Sequence, residues 1–388
     1  MSTPFIPYGR QFISDDDIRS VVEVLQSDFL TQGPAVPAFE TAVKAHCGGA
    51  YAVAMNSATS ALHAACLALG VGPGDRVWTS PITFVASANC ARYCGAEIDF
   101  VDIDPMTFNM SVAALTEKLK QAEQSGKLPK VVIPVHMCGQ SCSMAEIHLL
   151  GQRYGFRIIE DASHAIGGTY QGKLIGGGQY SDITVFSFHP VKIITTAEGG
   201  MAVTNHGDLA RKMELTRSHG ITRDPKEMGT LPDGDWYYEQ LELGYNYRMT
   251  DVLAALGTSQ MRNLTNWISK RQQLADRYSQ RFANIPLILP SVISDARSAW
   301  HLYVVQIDTK AAMARADLFK AMRHDGIGVN VHYMPVHLQP YYRRRGFKAG
   351  DFPAAEAYYA RAISLPMFAT LTERDQDRVM ERMITYLG

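Results

Sequence analysis

Net charge is almost absent from this chain: 37 basic and 38 acidic side chains leave a formal charge of -1 over 388 residues. Without a positive field there is nothing to hold a nucleic-acid backbone, so no nucleic-acid partner is expected. No apolar run approaches the length needed to span a bilayer, which removes the membrane as a partner. The first residues, Met1-Ser2-Thr3-Pro4-Phe5, lack the basic and apolar regions of a secretory leader. The expectation is a cytoplasmic chain with reduced thiols. Cysteine is scarce, with six in all. Cys90 and Cys94 are four apart, as are Cys138 and Cys142, but the first pair falls in the helical, apolar run Ala86–Ala91. There a free thiol serves as a small hydrophobe, and no metal site is expected. Internal repeats and low-complexity tracts are also missing. What remains, 46% hydrophobic and 19% charged residues, is an ordinary globular composition with length enough for two domains.

From about residue 50 to 205, short apolar strands alternate with helical segments. Tyr51–Met55 reads as a strand, Ala58–Leu69 as a helix stopped by Gly70, Asp75–Thr79 as a strand, and the next helix runs through Cys94 to Gly95. Further strands fall at 96–102, 130–135 and 156–160, then 182–186 and 200–204. Such alternation predicts an α/β fold, a largely parallel sheet covered by helices on both faces. Ligands of these sheets gather beyond the carboxyl ends of the strands, where Asn56, Asp161 and Ser187 fall. Residues 222–242 break the pattern with Pro225, Gly229, Pro232 and Gly234, and read as a long loop ending in Trp236-Tyr237-Tyr238. Helical periodicity runs from Met249 to about Phe282, and strands near 302–307 and 328–332 alternate with helices beyond it. The predicted organisation is a large domain over 14–262 and a smaller α/β domain over 263–388, for which the segment 1–13 is a candidate completion. Arg343-Arg344-Arg345 reads as a local patch, either solvated or facing an anionic substrate.

Lys192 is the most informative residue. It lies in Ser187-Phe188-His189-Pro190-Val191-Lys192, between two apolar strands, where an ammonium loses hydration. Desolvation frees the amine lone pair, which suits a Schiff-base lysine, although most loop lysines are plain surface charges. Upstream, Ile158-Ile159-Glu160-Asp161-Ala162-Ser163-His164 is a strand ending in an acid and then a histidine. Asp161 either caps a helix or pairs with a pyridine nitrogen; His164 is either structural or packs on the same ring. Asn56-Ser57-Ala58-Thr59-Ser60 joins a strand end to a helix start, where free N–H groups and hydroxyls seat a phosphate or simply cap the helix. Phe84, at the start of the next helix, is either core or a stacking ring. Ser187 adds a further phosphate donor. In this order on alternating elements, these are the parts of a pyridoxal phosphate (PLP) site.

The chain resembles the DegT/DnrJ/EryC1/StrS family of nucleotide-sugar aminotransferases. The resemblance rests on Asn56–Leu62, Glu160–Ala165, Ser187–Gly200, Arg217-Ser218-His219-Gly220 and Gly244-Tyr245-Asn246-Tyr247-Arg248-Met249. Leu30–Pro34, Pro81–Ala86, Thr195–Glu198 and Val331–Pro335 are similar to the branch of the family that serves pseudaminic acid biosynthesis. The family implies a PLP-dependent transferase of fold type I, working as a homodimer with shared active sites. It implies L-glutamate as amino donor, 2-oxoglutarate as its product, and C4 of a UDP-linked 4-keto-6-deoxy-N-acetylhexose as acceptor. Acceptors linked to GDP or dTDP, amination at C3, and a non-catalytic regulatory relative are the alternatives. By the same resemblance Lys192 is catalytic, and Ser57, Ala58, Thr59, Phe84, Asp161, His164, Ser187 and Asn246 hold the cofactor. Asn246 would reach across to the neighbouring subunit. Tyr8, Asp28, Phe29, Leu30, Thr31, Asn246, Val331, His332, Tyr333 and Met334 would line the sugar-nucleotide site. Some relatives replace the lysine with histidine and become dehydratases; Lys192 is retained here, which favours transamination.

Overall fold

The computed structural model describes residues 4–388; Met1–Thr3, part of the N-terminal segment 1–13, lie outside the described residues. The first nine strands are β1 Tyr51–Met55, β2 Arg76–Thr79, β3 Glu97–Phe100, β4 Val131–Ile133, β5 Arg157–Asp161, β6 Thr169–Tyr170, β7 Lys173–Leu174, β8 Ile183–Ser187 and β9 Gly200–Thr204. Seven of them form one sheet in the order β1-β9-β8-β5-β4-β2-β3. All neighbours run parallel except β9, which is antiparallel to both β1 and β8. Every residue of β4, β8 and β9 is buried, as expected of strands covered on both faces. The cover comes from α1 Asp15–Leu25, α2 Ala35–Cys47, α3 Ala58–Ala68, α4 Ala86–Tyr93, α5 Val112–Gln124, α6 Met144–Tyr154, α7 Gly207–Arg217, α8 Asp251–Met261 and α9 Leu264–Arg281.

Because β9 reverses direction, β1, β5 and β8 all end on the same edge of the sheet. That edge receives Asn56, Asp161 and Ser187 together. A bridge between Val135 and Asp161 extends the β4–β5 pairing to the acid itself.

Three expectations are corrected. The 222–242 segment is not pattern-free: β10 Ile221–Thr222 pairs antiparallel with β11 Glu239–Gln240, so the loop leaves and returns through a short ladder. The helical stretch from Met249 to Phe282 is two helices, with Arg262 and Asn263 between α8 and α9. The 328–332 segment is not a strand. It has one single bridge just before it, Ile6 to Ile327, and one within it, Asn330 to Ser364, too few to form a ladder. Gly328 approaches the Ile6 carbonyl so closely that a Cβ would lie 2.9 Å from it.

Beyond α9 a small antiparallel sheet joins β12 Leu287–Ile288, β14 Tyr303–Ile307 and β15 Ala362–Leu365, while β13 Ala296–Arg297 pairs back onto β6. A second apolar core surrounds β14 and includes Ile6, Tyr278, Val305, Ile363 and Met383. Ile6 thus ties the N-terminal segment to the C-terminal core. No helix among the described residues is long and apolar enough to cross a membrane.

Candidate active site

The loop from β8 to β9, residues 188–199, carries Lys192 and is held from both sides. Ile193 and Ile194 are buried in a core with Phe39, Phe188 and Met249. Thr195 Oγ1 donates to the Phe188 carbonyl at 3.0 Å, and the Thr196 N–H donates to the same oxygen at 2.9 Å. The Thr195 N–H donates to Gln260 Oε1 at 3.2 Å, fastening the loop to α8. Lys192 keeps some accessible surface along its side chain. Burial of its surroundings nevertheless lowers its pKa to about 8, against the opposing pull of Asp161. Sequence and structure agree on the consequence: this amine loses its proton far more readily than an ordinary lysine.

Asp161, at the tip of β5, is buried and fully dressed with donors. Ser87 Oγ donates to Oδ2 at 2.6 Å; Ser163 donates to Oδ1 from its hydroxyl at 2.6 Å and its N–H at 3.1 Å. Four side chains close the space around the lysine. His164 is buried, with Tyr333 Oη 3.3 Å from its Nε2, and their rings stack at 6.2 Å and 26°. Burial, reinforced by the Lys192 cation and His332, holds His164 well below the usual imidazole range. His332 is pushed down to about 3 by burial and then by Lys192; its Nδ1 meets Ser364 Oγ at 2.8 Å. The Tyr8 ring lies 5.4 Å from that of His332.

The predicted phosphate seat is the start of α3. Ser57 is its N-cap, accepting the Ser60 N–H at 3.1 Å, so the capping reading is satisfied by Ser57 and not by Thr59. Capping and phosphate binding are compatible here, because the N–H groups of Ala58 and Thr59 still precede the first turn's own bonds. Gly200 opens β9 directly beneath them: a methyl built on it would overlap Ala58 N and lie 2.5 Å from Ala58 Cα. Ser187 ends β8 on this edge and is 9% exposed.

Other predicted residues lie on a rim. Phe84, expected to be core if not functional, is 59% exposed, two residues before α4, with its ring 6.4 Å from Tyr333. Asn246 is exposed; its carbonyl receives Asn56 Nδ2 at 3.4 Å, and its segment bridges to Ser218. Asp28, Phe29, Leu30 and Thr31 are exposed against the start of α8, where the Asp251 N–H donates to the Leu30 carbonyl at 2.9 Å. None of them lines the small cavity beside Lys192. Of the 331–334 stretch, His332 faces the lysine and Tyr333 faces His164 and Asp161, whereas Met334 is exposed.

Ser87, Glu160, Arg271 and His301 escape sequence reasoning. Glu160 is buried beside Asp161, meeting His136 Nε2 at 2.7 Å and accepting Ser181 and Thr184 hydroxyls. A carboxylate inside an apolar strand was the signal for it. A histidine directly ahead of the buried strand β14 was the signal for His301. Ser87 had none. All six thiols are free and buried, and no cluster of three His, Cys, Asp or Glu side chains suited to a metal occurs among the described residues.

These residues fit PLP: a desolvated lysine across from a hydrogen-bonded acid, and bare helix N–H groups where a glycine lets the strand pass close. The fold and site define a PLP-dependent aminotransferase of fold type I. The chain belongs to the DegT/DnrJ/EryC1/StrS aminotransferase family, whose model it matches over residues 11–384. It is 40% identical over 381 residues to the spore coat polysaccharide biosynthesis protein SpsC of Bacillus subtilis, covering 97% of this chain and 96% of that one. In structure it is similar to Helicobacter pylori PseC, an aminotransferase involved in the biosynthesis of pseudoaminic acid, with TM-score 0.89, 30% identity and 99% of each chain covered. Spr1654 of Streptococcus pneumoniae in its PLP form superposes with TM-score 0.88 at 28% identity, over 100% of this chain and 98% of that one. That protein has also been solved in PMP and apo forms.

Proposed function

We propose that this enzyme moves the amino group of L-glutamate to C4 of UDP-2-acetamido-2,6-dideoxy-β-L-arabino-hex-4-ulose. It would thus act as the UDP-4-amino-4,6-dideoxy-N-acetyl-β-L-altrosamine transaminase of pseudaminic acid biosynthesis. The observation that carries aminotransfer is Lys192, desolvated and facing Asp161. The similarity to PseC along the whole chain supports the sugar. The 40% identity to a spore coat polysaccharide protein supports a second reading, in which the acceptor is another nucleotide-linked 3- or 4-keto sugar.

When bound, PLP supplies an electron sink for the substrate carbon and carries nitrogen between the two half-reactions. The chain's own residues do the rest. The Ala58 and Thr59 N–H groups, with the hydroxyls of Ser57 and Ser187, would hold the phosphate. Asp161 would keep the ring nitrogen protonated, its carboxylate locked in aim by Ser87 and Ser163. His164 would pack against the ring. Lys192 Nζ would move the proton at the reacting carbon, since a neutral amine is available near pH 8. Tyr8, His332 and Tyr333 would form the dry side of the sugar site, and Val331 and Met334 its edge. We read residues 14–262 as the cofactor domain and 263–388 as the small domain. The enzyme would be a cytoplasmic homodimer in which the exposed Asn246, Phe84 and Asp28–Thr31 complete the neighbouring site.

A panel of UDP-, dTDP- and GDP-linked keto sugars with glutamate tests this, with the aminated carbon assigned by NMR. Amination at C4 of the UDP-linked N-acetyl sugar is expected. Turnover confined to another nucleotide, or amination at C3, replaces it with the second reading. Mixing an Asn246 variant with a Lys192 variant should restore activity if the two act from different chains.

A further inference from the structure

His332, beside the lysine, is held between the side chains of two residues that also hold each other. The Ser364 N–H donates to the Asn330 carbonyl at 2.7 Å, and the Asn330 N–H donates to the Ser364 carbonyl at 3.2 Å. The His332 ring comes back between them, with Asn330 Nδ2 3.4 Å from its Nε2 and Ser364 Oγ 2.8 Å from its Nδ1. The Asn330 amide is oriented by a third bond. Its Oδ1 accepts the Val331 N–H at 2.8 Å, which turns the NH2 group toward the imidazole. That NH2 group also bonds the Tyr8 side chain, where it opposes the rise that burial imposes on the phenol. An amide NH2 donates and does not accept, so Nε2 of His332 must offer its lone pair. The single ring proton then sits on Nδ1 and is donated to Ser364 Oγ. A second ring proton would set N–H against N–H at Nε2. Ser364 is fully buried and His332 is 6% exposed, so bulk water does not compete for these bonds. Burial first, and then the Lys192 cation, push His332 the same way, down to about 3.

We propose that Asn330 is a positioning residue of the active site: its side-chain amide fixes His332 as the neutral imidazole with its proton on Nδ1. A ring fixed in this way does not take up the proton that Lys192 releases, so proton transfer at the reacting carbon stays with the lysine. This rests on the aminotransferase reading for the role of Lys192, but not on the identity of the sugar. The titratable groups that face His332 come from five places. They are Lys192 from the 188–199 loop, His164 from the turn after β5, His301 from the loop before β14, Tyr8 from the N-terminal segment and Tyr333 next to it in the chain. None of these is a carboxylate, so none of them draws a second proton onto the ring. Tyr358 Oη donates to the His332 carbonyl at 2.7 Å and holds the backbone behind it.

The test is nitrogen NMR of the full-length enzyme as purified, labelled with 15N at histidine, with the His332 signals assigned by their loss in His332→Gln. The shift of each ring nitrogen tells a protonated position from a bare one. In the wild type at about pH 7.5, Nδ1 should be protonated and Nε2 bare, and neither signal should move as the pH is lowered to about 5.5. Asn330→Asp keeps the shape of the side chain and the Val331 bond, but sets a carboxylate oxygen against Nε2. It should draw a proton onto Nε2 and raise the His332 midpoint by about 1–3 pH units, because an opposite charge now touches the ring. A wild-type ring protonated at Nε2, or an Asn330→Asp ring with tautomer and midpoint unchanged, overturns the proposal. If the Asp variant does not fold, the wild-type tautomer decides alone. Neither sugar nor amino donor enters the sample, so its failure is separate from a wrong acceptor, and the activity of Lys192→Ala separates it from a wrong role for the lysine.

Discussion

Two long connections in this enzyme are ordered by opposite means. The 188–199 loop is pinned from inside: Ile193 and Ile194 are sunk in the core, and Thr195 and Thr196 close its base. Among the described residues, the segment between β10 and β11 is fastened mainly to itself and to one helix. Arg211 donates to Glu227 Oε1 at 2.7 Å, and Glu239 accepts the Gly229 and Thr230 N–H groups at 2.7 and 3.0 Å. Its apolar side chains point outward, with Leu231 93% and Trp236 71% exposed. Burial fixes a reactive atom to a small fraction of an ångström. Polar stitching at a surface fixes a shape that can still shift as a unit.

That contrast can be tested by breaking each loop. Lys192→Ala should have the largest effect, a fall in glutamate-dependent sugar amination of at least about a thousand-fold with the fold intact by circular dichroism. Retained turnover at the wild-type rate would remove the pinned loop from the chemistry. Ile194→Ala should cost about 2–5 kcal/mol in urea unfolding, the price of a cavity under the lysine. A loss below about 1 kcal/mol would mean that the loop is not held by its core residues.

Acidity acts on the same interior. His164, His301 and His332 are all depressed in the folded protein, first by burial and then by neighbouring charge. Unfolded, they take up protons as pH falls through about 6.5, while the folded chain does not. Stability is therefore whole above that value and declines below it, for His332 until about 3. The urea midpoint should drop between pH 7.5 and 5.5, and less steeply in His301→Phe; a flat profile would contradict a dry histidine wall. Glu227→Gln should matter least to stability, about 1 kcal/mol or less, since Arg211 is partly solvated. On the proposed function, its expected effect is a raised KM for the sugar nucleotide. An equal loss in the glutamate half-reaction would show that the outer segment is coupled to the pinned one.

The sequence made local features legible and left tertiary ones hidden. Asp161 and Ser57 announce themselves at strand ends, and Lys192 as a lone cation between two apolar strands, each with a recognisable change of pattern. The parallel order of the sheet followed from the repeated alternation of strand and helix. The antiparallel insertion of β9 did not, because direction depends on where the 188–199 loop returns. Ser87 looks like any helical serine until β5 brings Asp161 to it. Arg271 follows the charged periodicity of a surface helix, and only the carbonyls of Trp300, His301 and Met367 make it an interior residue. The 328–332 run has strand composition, yet its neighbours on either side offer one pairing each.

Gly200 has a consequence for anyone moving this chemistry elsewhere. It works as a gauge block between a strand and a helix tip: its lack of a side chain sets how close the N–H groups of Ala58 and Thr59, the proposed anion cradle, come to the strand that follows the lysine loop. Grafting the lysine loop into another scaffold while allowing alanine at that position would lift the cradle and leave the amine out of reach. Such a graft should keep the reactive group but lose the affinity that delivers the coenzyme to it.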